Sequence, residues 1–111
     1  MTEVVVLDEF ETWYRDLADD EAEAVARYVG LLEQFGVTLG HPYSSDIKGS
    51  SLAMRELRVK HAGAAIRILY VFDPARQAVL ILGGDKKGDD RFYERMIPKA
   101  EALYAAYLKT R

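Results

Sequence analysis

The sequence predicts an α+β protein with the element order β-α-α-β-β-β-α, in which an N-terminal helical hairpin and a C-terminal helix pack on an antiparallel meander. Three observations lead to this fold class. Two apolar stripes at helical spacing lie within residues 8–36, three apolar segments joined by short turns lie within residues 55–82, and another helical stripe covers residues 92–108. Because 111 residues leave room for one hydrophobic core, residues 1–111 are expected to form a single domain.

The N-terminal third predicts one strand followed by two helices. Val4–Leu7 is a β-branched run of strand length, and Asp8 opens a capping-box pattern. Asp19 and Asp20 separate two apolar stripes, and Gly36 suits the C-terminal cap of the second helix. The stripes consist of Phe10, Trp13, Tyr14 and Leu17, and then of Ala22, Val25, Ala26, Val29, Leu32 and Phe35. Two such helices in succession require a sheet to cover their apolar faces.

The middle of the chain predicts a loop and then three strands. Residues 37–53 have little periodicity and are expected to form a loop with some local structure, the most mobile segment of the chain. Apolar and polar residues alternate over residues 55–60, residues 65–72 are almost wholly apolar, and residues 79–82 form a third apolar run that ends at a glycine pair. The connections are too short for parallel crossovers, so the three strands are expected to form an antiparallel meander.

The C-terminal segment predicts a helix that is disturbed at one position. Asp89 and Asp90 are candidate caps, and apolar residues then recur at helical spacing from Phe92 to Leu108. Pro98 interrupts this stripe, and it predicts either a kink or a short helix that restarts with proline in its first turn.

Composition excludes several classes of protein. The chain has no cysteine and two histidines, which argues against disulfides, thiolate zinc sites and a dedicated transition-metal site. Phosphate-binding and dinucleotide-binding glycine motifs are absent, so we expect no cofactor. No apolar run approaches the roughly 18–20 residues needed to cross a bilayer, and the N-terminus lacks a basic leader, so we expect a cytoplasmic protein without a membrane partner.

Charge is distributed unevenly along the chain. Residues 1–36 carry a net charge of −8, whereas residues 37–111 carry +5. The second part therefore offers a surface to a polyanion in spite of the overall charge of −3. A simpler interpretation is that the solvated faces of the first two helices happen to be acidic.

Arg67 is the most informative single residue, because it lies in the middle of the most apolar strand. A charge is tolerated there only if it is paired or faces a functional cleft. One interpretation is a structural ion pair with a carboxylate such as Glu56. The other is a row of cations on one face of the sheet, in which Arg58 and Lys60 of the preceding strand lie beside Arg67. Such a row stabilises the charge that develops on a phosphate during RNA cleavage.

Four other side chains are candidates for the same surface. Lys86 and Lys87 follow the last strand and are placed to close it. Tyr93, at the start of the last helix, is suited to stacking on a base or donating a proton, with core packing as the alternative. His61 lies in a hairpin turn, where an exposed histidine without a catalytic role is the more common finding, although histidine is a frequent proton-transfer residue in enzymes.

Several blocks of sequence together resemble a known family. They are Met54–Arg58, Ile66–Pro74, Leu80–Gly88, Phe92–Arg95 and Ile97–Glu101. Their order and spacing are similar to those of HigB-like toxins, the phage-derived branch of the RelE/ParE toxin superfamily. The resemblance extends over about residues 50–108, and the preceding helical hairpin agrees in order and length.

The resemblance implies a RelE-like fold and the toxin of a type II toxin–antitoxin system. Such a toxin associates with the ribosome, cleaves mRNA there without a metal ion, and is silenced by a helix-turn-helix, HigA-like antitoxin. It also leaves two alternatives, a non-catalytic ParE-like toxin that binds gyrase and an inactive module that only binds an antitoxin.

The resemblance also assigns roles to residues of this chain. Arg67 corresponds to the strand arginine that binds the scissile phosphate, Lys86 and Lys87 to the basic pair after the last strand, and Tyr93 to a stacking or acid residue. The chain lacks the C-terminal histidine of better-defined relatives, so the general base is not identified. The residues expected to bind RNA are Arg55, Arg58, Lys60 and His61.

Overall fold

The sheet is built from five strands, and helices cover both of its faces. The computed structural model describes all 111 residues. The elements are β1 (Val4–Val6), α1 (Asp8–Arg15), α2 (Asp19–Phe35), a 3-10 turn (Gly36–Thr38), β2 (Ser44–Asp46), β3 (Arg55–His61), β4 (Ala64–Phe72), β5 (Ala78–Asp85) and α3 (Phe92–Lys109). The strand order is β1-β5-β4-β3-β2, with β1 parallel to β5 and all other neighbours antiparallel.

Alternation along the central strands divides the core into two layers. Leu57, Ile66 and Ile68 face α1 and α2, while Leu69 and Val71 face α3. All five side chains are buried. The almost unbroken apolar run of β4 therefore reflects a central strand that is covered on both faces.

Apart from one additional strand, β2, the predicted element order is confirmed, as is the antiparallel meander of β3, β4 and β5. Residues 37–53, expected to form a loop with some local structure, contain the 3-10 turn and the strand β2. The strand consists of three polar residues, so no apolar pattern marks it. The position of this strand depends on residues far away in the sequence, since the Ser44 hydroxyl lies 2.6 Å from the Tyr70 hydroxyl in the interior.

One predicted helix cap is wrong, and one of the two alternatives for Pro98 does not form. Leu7, not Asp8, occupies the N-cap of α1, and no side chain caps that helix, so the capping box does not form. Pro98 lies inside one continuous helix, α3, rather than at a restart. The proline ring costs this helix one backbone hydrogen bond. Ile97 and Ala100 beside it are buried against the sheet, and this packing holds the helix in one piece.

Gly83 and Gly84, predicted to end the third meander strand, lie within β5. A Cβ atom on Gly83 would overlap the ring of Trp13 in α1, and one on Gly84 would lie 2.9 Å from the ring of Phe92 in α3. The glycine pair therefore lets both helices approach the backbone of β5 closely. No helix of the protein combines the length and apolarity required to cross a membrane.

Candidate functional site

Charged residues of β3 and β4 meet on the α3 face of the sheet, beyond the N-terminal end of α3. The register pairs Arg58 with Arg67, so two guanidinium groups lie on neighbouring strands. Two like charges in this position repel each other unless an acid lies between them. Glu56 is that acid, because Arg58 Nη1 donates to its Oε2 atom over 3.2 Å and Arg67 Nε lies 3.7 Å from its Oε1 atom.

Glu56 is the centre of this cluster. Its side chain is 6% exposed. It also accepts hydrogen bonds from the hydroxyl of Tyr93 on α3, at 2.6 Å, and from that of Ser45 on β2, at 3.2 Å. A single buried carboxylate thus connects β2, β3, β4 and α3.

Tyr93 is held in its neutral form. Partial burial, and then the hydrogen bond to Glu56, raise the pKa of Tyr93 to about 12. At neutral pH its hydroxyl is therefore a proton donor and not a base. Lys86 lies over the ring of Tyr93, with its Nζ atom 5.5 Å from the ring centroid, in a cation–π arrangement.

Arg67 is buried, but not all of its N–H donors have hydrogen-bond partners. It is 4% exposed, its Nη1 group donates to the carbonyl of Ile66 over 3.0 Å, and its Nε group has no hydrogen-bond partner. The structural ion pair considered from the sequence is present, although it is long at 3.7 Å. Arg67 also lines an open depression of about 420 Å³ together with Lys60, His61 and the hairpin residues 62–65.

Three other residues predicted for the site, Lys60, His61 and Lys87, lie near this depression. Lys60 is exposed on its rim, and exposed Lys87 extends over the hairpin at Gly63. His61 borders the depression, but its Nε2 atom lies 2.7 Å from the carboxylate of Asp20 at the start of α2. This contact fastens the hairpin to α2.

Arg55 does not join the other cations, because alternation along β3 directs it to the opposite face. Its guanidinium forms an ion pair with Asp46 and donates to the carbonyl of Leu39 over 3.1 Å. It also contacts Ser44 and Tyr70, at 3.2 and 3.3 Å. These contacts tie the segment around β2 to the sheet. The structure thus brings together Arg58, Lys60, Arg67, Lys86 and Tyr93, while Arg55 has structural partners.

A second depression, of about 270 Å³, is missing from the sequence-based prediction. It lies on the β2 side of the cluster and is lined by Asp46, Ile47, Lys48, Glu56 and Tyr93. Three of these residues belong to the segment predicted as a loop, so no periodic signal marked them. The role of Glu56 could have been predicted from the sequence. It lies between Arg55 and Arg58 on a strand of alternating apolar and polar residues, where an acid is placed to pair with cations. No His, Cys, Asp or Glu side chains are grouped in threes that would hold a metal ion.

Comparison with known proteins places this chain in a family. Residues 12–105 match the family described as phage derived protein Gp49-like. The chain is 45% identical over 100 residues to the putative toxin HigB3 of Mycobacterium tuberculosis, covering 88% of this chain and 86% of that protein.

Two further similarities extend this comparison. The putative toxin HigB2 of the same organism is 33% identical over 105 residues, but the chain spans only 52% of its length. The structure of a mutant of the E. coli toxin RelE in the free state matches with a TM-score of 0.62 over 86% of this chain and 94% of that chain. At 9% sequence identity this match supports the RelE-like fold alone. The chain therefore belongs to the phage-derived Gp49-like family, the HigB-like branch that its sequence blocks resemble.

Proposed function

We propose that the protein is the toxin of a type II toxin–antitoxin system and that it cleaves mRNA on the ribosome without a metal ion. The observation that carries this proposal is the guanidinium of Arg67, which lines an open depression and also lies beside Tyr93, the residue whose ring Lys86 covers. The two M. tuberculosis relatives are both named as putative toxins, which agrees with it.

The reaction that suits these groups is attack of a ribose 2′-hydroxyl on the adjacent phosphate. This step forms a 2′,3′-cyclic phosphate and releases a 5′-hydroxyl, so one proton leaves the 2′-oxygen and another reaches the 5′-oxygen. Arg67 and Lys86 stabilise the negative charge of the pentavalent phosphorane. Because the substrate is a polyanion, Arg58 and Lys60 add affinity that falls with salt.

Tyr93 suits one of the two proton transfers. Its hydroxyl is neutral at neutral pH, so it donates a proton to the leaving 5′-oxygen after turning from Glu56. Glu56 is buried with hydrogen-bond partners on both oxygens, so solvent water takes the proton of the 2′-hydroxyl and returns one to the tyrosinate.

The test is expression of the toxin alone, followed by primer extension on cellular mRNA. We expect growth arrest and mRNA cleavage from the unsubstituted chain, and loss of at least about tenfold in cleavage from Lys86→Ala, since removal of a charge-stabilising group commonly costs 10-fold or more. Lys109→Ala, an exposed lysine at the far end of α3, is the matched control and should cleave normally. Full toxicity of both Lys86→Ala and Arg67→Ala would contradict the site, and intact mRNA with rising DNA damage would favour gyrase binding.

The proposed partner is a HigA-like helix-turn-helix antitoxin. The support is the charge of −8 on residues 1–36, which form β1, α1 and α2 and offer an acidic surface away from the cationic site. A basic partner can bind there through charge complementarity. Co-expression of the helix-turn-helix protein from an adjacent reading frame should relieve the growth arrest, and a stable toxin that this protein neither binds nor silences would refute the pairing.

A further inference from the structure

The segment that links β5 to α3 carries one acid whose charge does not suit its surroundings. Asp85 is the last residue of β5, and Lys86 and Lys87 follow it directly. The residue is exposed, and its carboxylate takes part in none of the ion pairs of the structure. An unpaired negative charge beside two lysines repels the phosphates that these lysines would bind. The explanation for Asp85 must therefore lie in the hydrogen bonds that it accepts.

Asp85 holds backbone groups on two sides of the site. Its Oδ1 atom accepts hydrogen bonds from the N–H groups of Ala65 on β4 and of Lys87, each over 3.0 Å. The N–H group of Lys86 in turn donates to the carbonyl of Ala65 over 3.0 Å. These hydrogen bonds fasten the backbone around Lys86 to β4, at a position two residues before Arg67.

Resting on the nuclease function proposed above, we propose that Asp85 is a positioning residue that fixes Lys86 relative to Tyr93 and Arg67. The Nζ atom of Lys86 lies 5.5 Å from the centroid of the Tyr93 ring. No carboxylate holds this ammonium group, since Lys86 forms no ion pair. Its place therefore depends on the backbone from which the side chain starts. A cation that stabilises a phosphorane has to be in position before the charge develops.

Little else attaches this segment to the sheet. The N–H group of Asp89 donates to the carbonyl of Lys86 over 3.0 Å, but this bond closes a turn within the segment itself. Without Asp85, only the hydrogen bond from Lys86 to Ala65 would remain between the segment and β4. Both N–H groups that Asp85 binds are in exposed contacts, so water can replace the carboxylate there. Loss of Asp85 should therefore leave the protein folded and make the position of Lys86 variable.

The test separates the hydrogen-bond acceptor from the charge in single-turnover cleavage of ribosome-bound mRNA. Asp85→Asn keeps a side-chain oxygen in place without the charge, whereas Asp85→Glu keeps the charge and moves the carboxylate by one methylene group. Asp90→Asn, which neutralises an exposed acid outside this contact, is the matched control. We expect Asp85→Asn and Asp90→Asn to cleave within about twofold of the unsubstituted rate, and Asp85→Glu to be slower by about tenfold, like Lys86→Ala.

A double-mutant cycle then asks whether Asp85 acts through Lys86. If it does, Asp85→Glu combined with Lys86→Ala should be no slower than Lys86→Ala alone, because residues that act as a unit have non-additive effects. A purely structural role predicts that the two losses multiply. Urea unfolding checks that each variant is folded, and Asp85→Ala replaces Asp85→Glu if the longer side chain disturbs the fold.

The outcomes separate this proposal from the function on which it rests. If Asp85→Glu cleaves at the unsubstituted rate, if Asp85→Asn loses as much as Asp85→Glu, or if the losses multiply in the cycle, the positioning role is refuted and the nuclease function stands. If the unsubstituted chain cleaves no mRNA, the nuclease function is refuted and the positioning role with it.

Discussion

At the scale of single residues, the distribution of hydrogen bonds around Glu56 distinguishes a structural ion pair from a functional one. Glu56 has hydrogen-bond partners on both oxygens, whereas buried Arg67 donates one hydrogen bond and leaves Nε unpaired. An unsatisfied buried donor costs about 1–3 kcal/mol, and a pair selected for stability alone would be expected to avoid that cost. The unpaired Nε group is itself buried beside Glu56, and a buried donor left without a partner is typical of a residue with a role other than stability.

Tyr93→Phe tests the role of one oxygen atom. The substitution keeps the ring on which a base can stack and removes the proton donor, so we expect cleavage to fall by about 10²–10⁴-fold while binding to ribosomes changes little. Single-turnover cleavage of ribosome-bound mRNA measures the first quantity, and co-sedimentation with ribosomes the second. Tyr28→Phe, whose half-buried ring contacts Tyr43 on the α1–α2 face of the sheet, serves as control. Equal rates for both variants would show that the Tyr93 hydroxyl takes no part in the reaction.

At the scale of elements, the glycine pair of β5 determines how closely α1 and α3 approach the sheet. Gly83→Ala should destabilise the fold by about 1–3 kcal/mol, because its Cβ would overlap the Trp13 ring, which packs tightly against β5. Gly30→Ala, inside α2 with no atom near the added methyl group, should instead stabilise the fold by about 0.4–1 kcal/mol. Urea unfolding of both variants measures these opposite signs. Stabilisation by Gly83→Ala would mean that α1 can move away from β5 without cost.

The elements also show which features the sequence can predict. Amphipathic stripes located α1, α2 and α3, and apolar runs located the meander, because apolar burial determines these elements. The strand β2 lacked such a signal, since Ser44 and Asp46 are held by Tyr70 and Arg55 from distant parts of the chain. The same limitation applies to the site. Arg67 was conspicuous among aliphatic residues, but the second depression depends on how that unpatterned segment folds back.

At the scale of the whole molecule, charge is divided between the two faces of the sheet. The acidic N-terminal segment provides both helices of one face, whereas Arg58, Arg67 and Lys86 lie on the other, next to α3. For the proposed RNA substrate, long-range repulsion disfavours approach to the helical hairpin and favours the face with the depressions. An overall charge of −3 hides this arrangement, which is why net charge alone is a poor guide to the partner.

Alkaline pH should weaken the whole fold through its tyrosines. Burial, and then Glu56, raise the pKa of Tyr93 to about 12, and burial followed by Asp73 raises the pKa values of Tyr104 and Tyr107. Unfolded tyrosine loses its proton near about pH 10, so above that pH the unfolded chain binds fewer protons than the folded one. The stabilisation from these neutral hydroxyls is therefore complete below about pH 10 and decreases as the pH rises towards 12.

The measurement is the urea midpoint at about pH 8, 9, 10 and 11 for the unsubstituted chain and for Tyr93→Phe. The variant should begin lower, because Glu56 loses a hydrogen bond, and should then decline less steeply, since one of the three titrating hydroxyls is gone. The two curves are expected to converge above about pH 10. Parallel curves over this range would mean that Tyr93 titrates alike in the folded and unfolded chains, and its hydrogen bond to Glu56 would then not keep the proton on Tyr93 as the proposed acid requires.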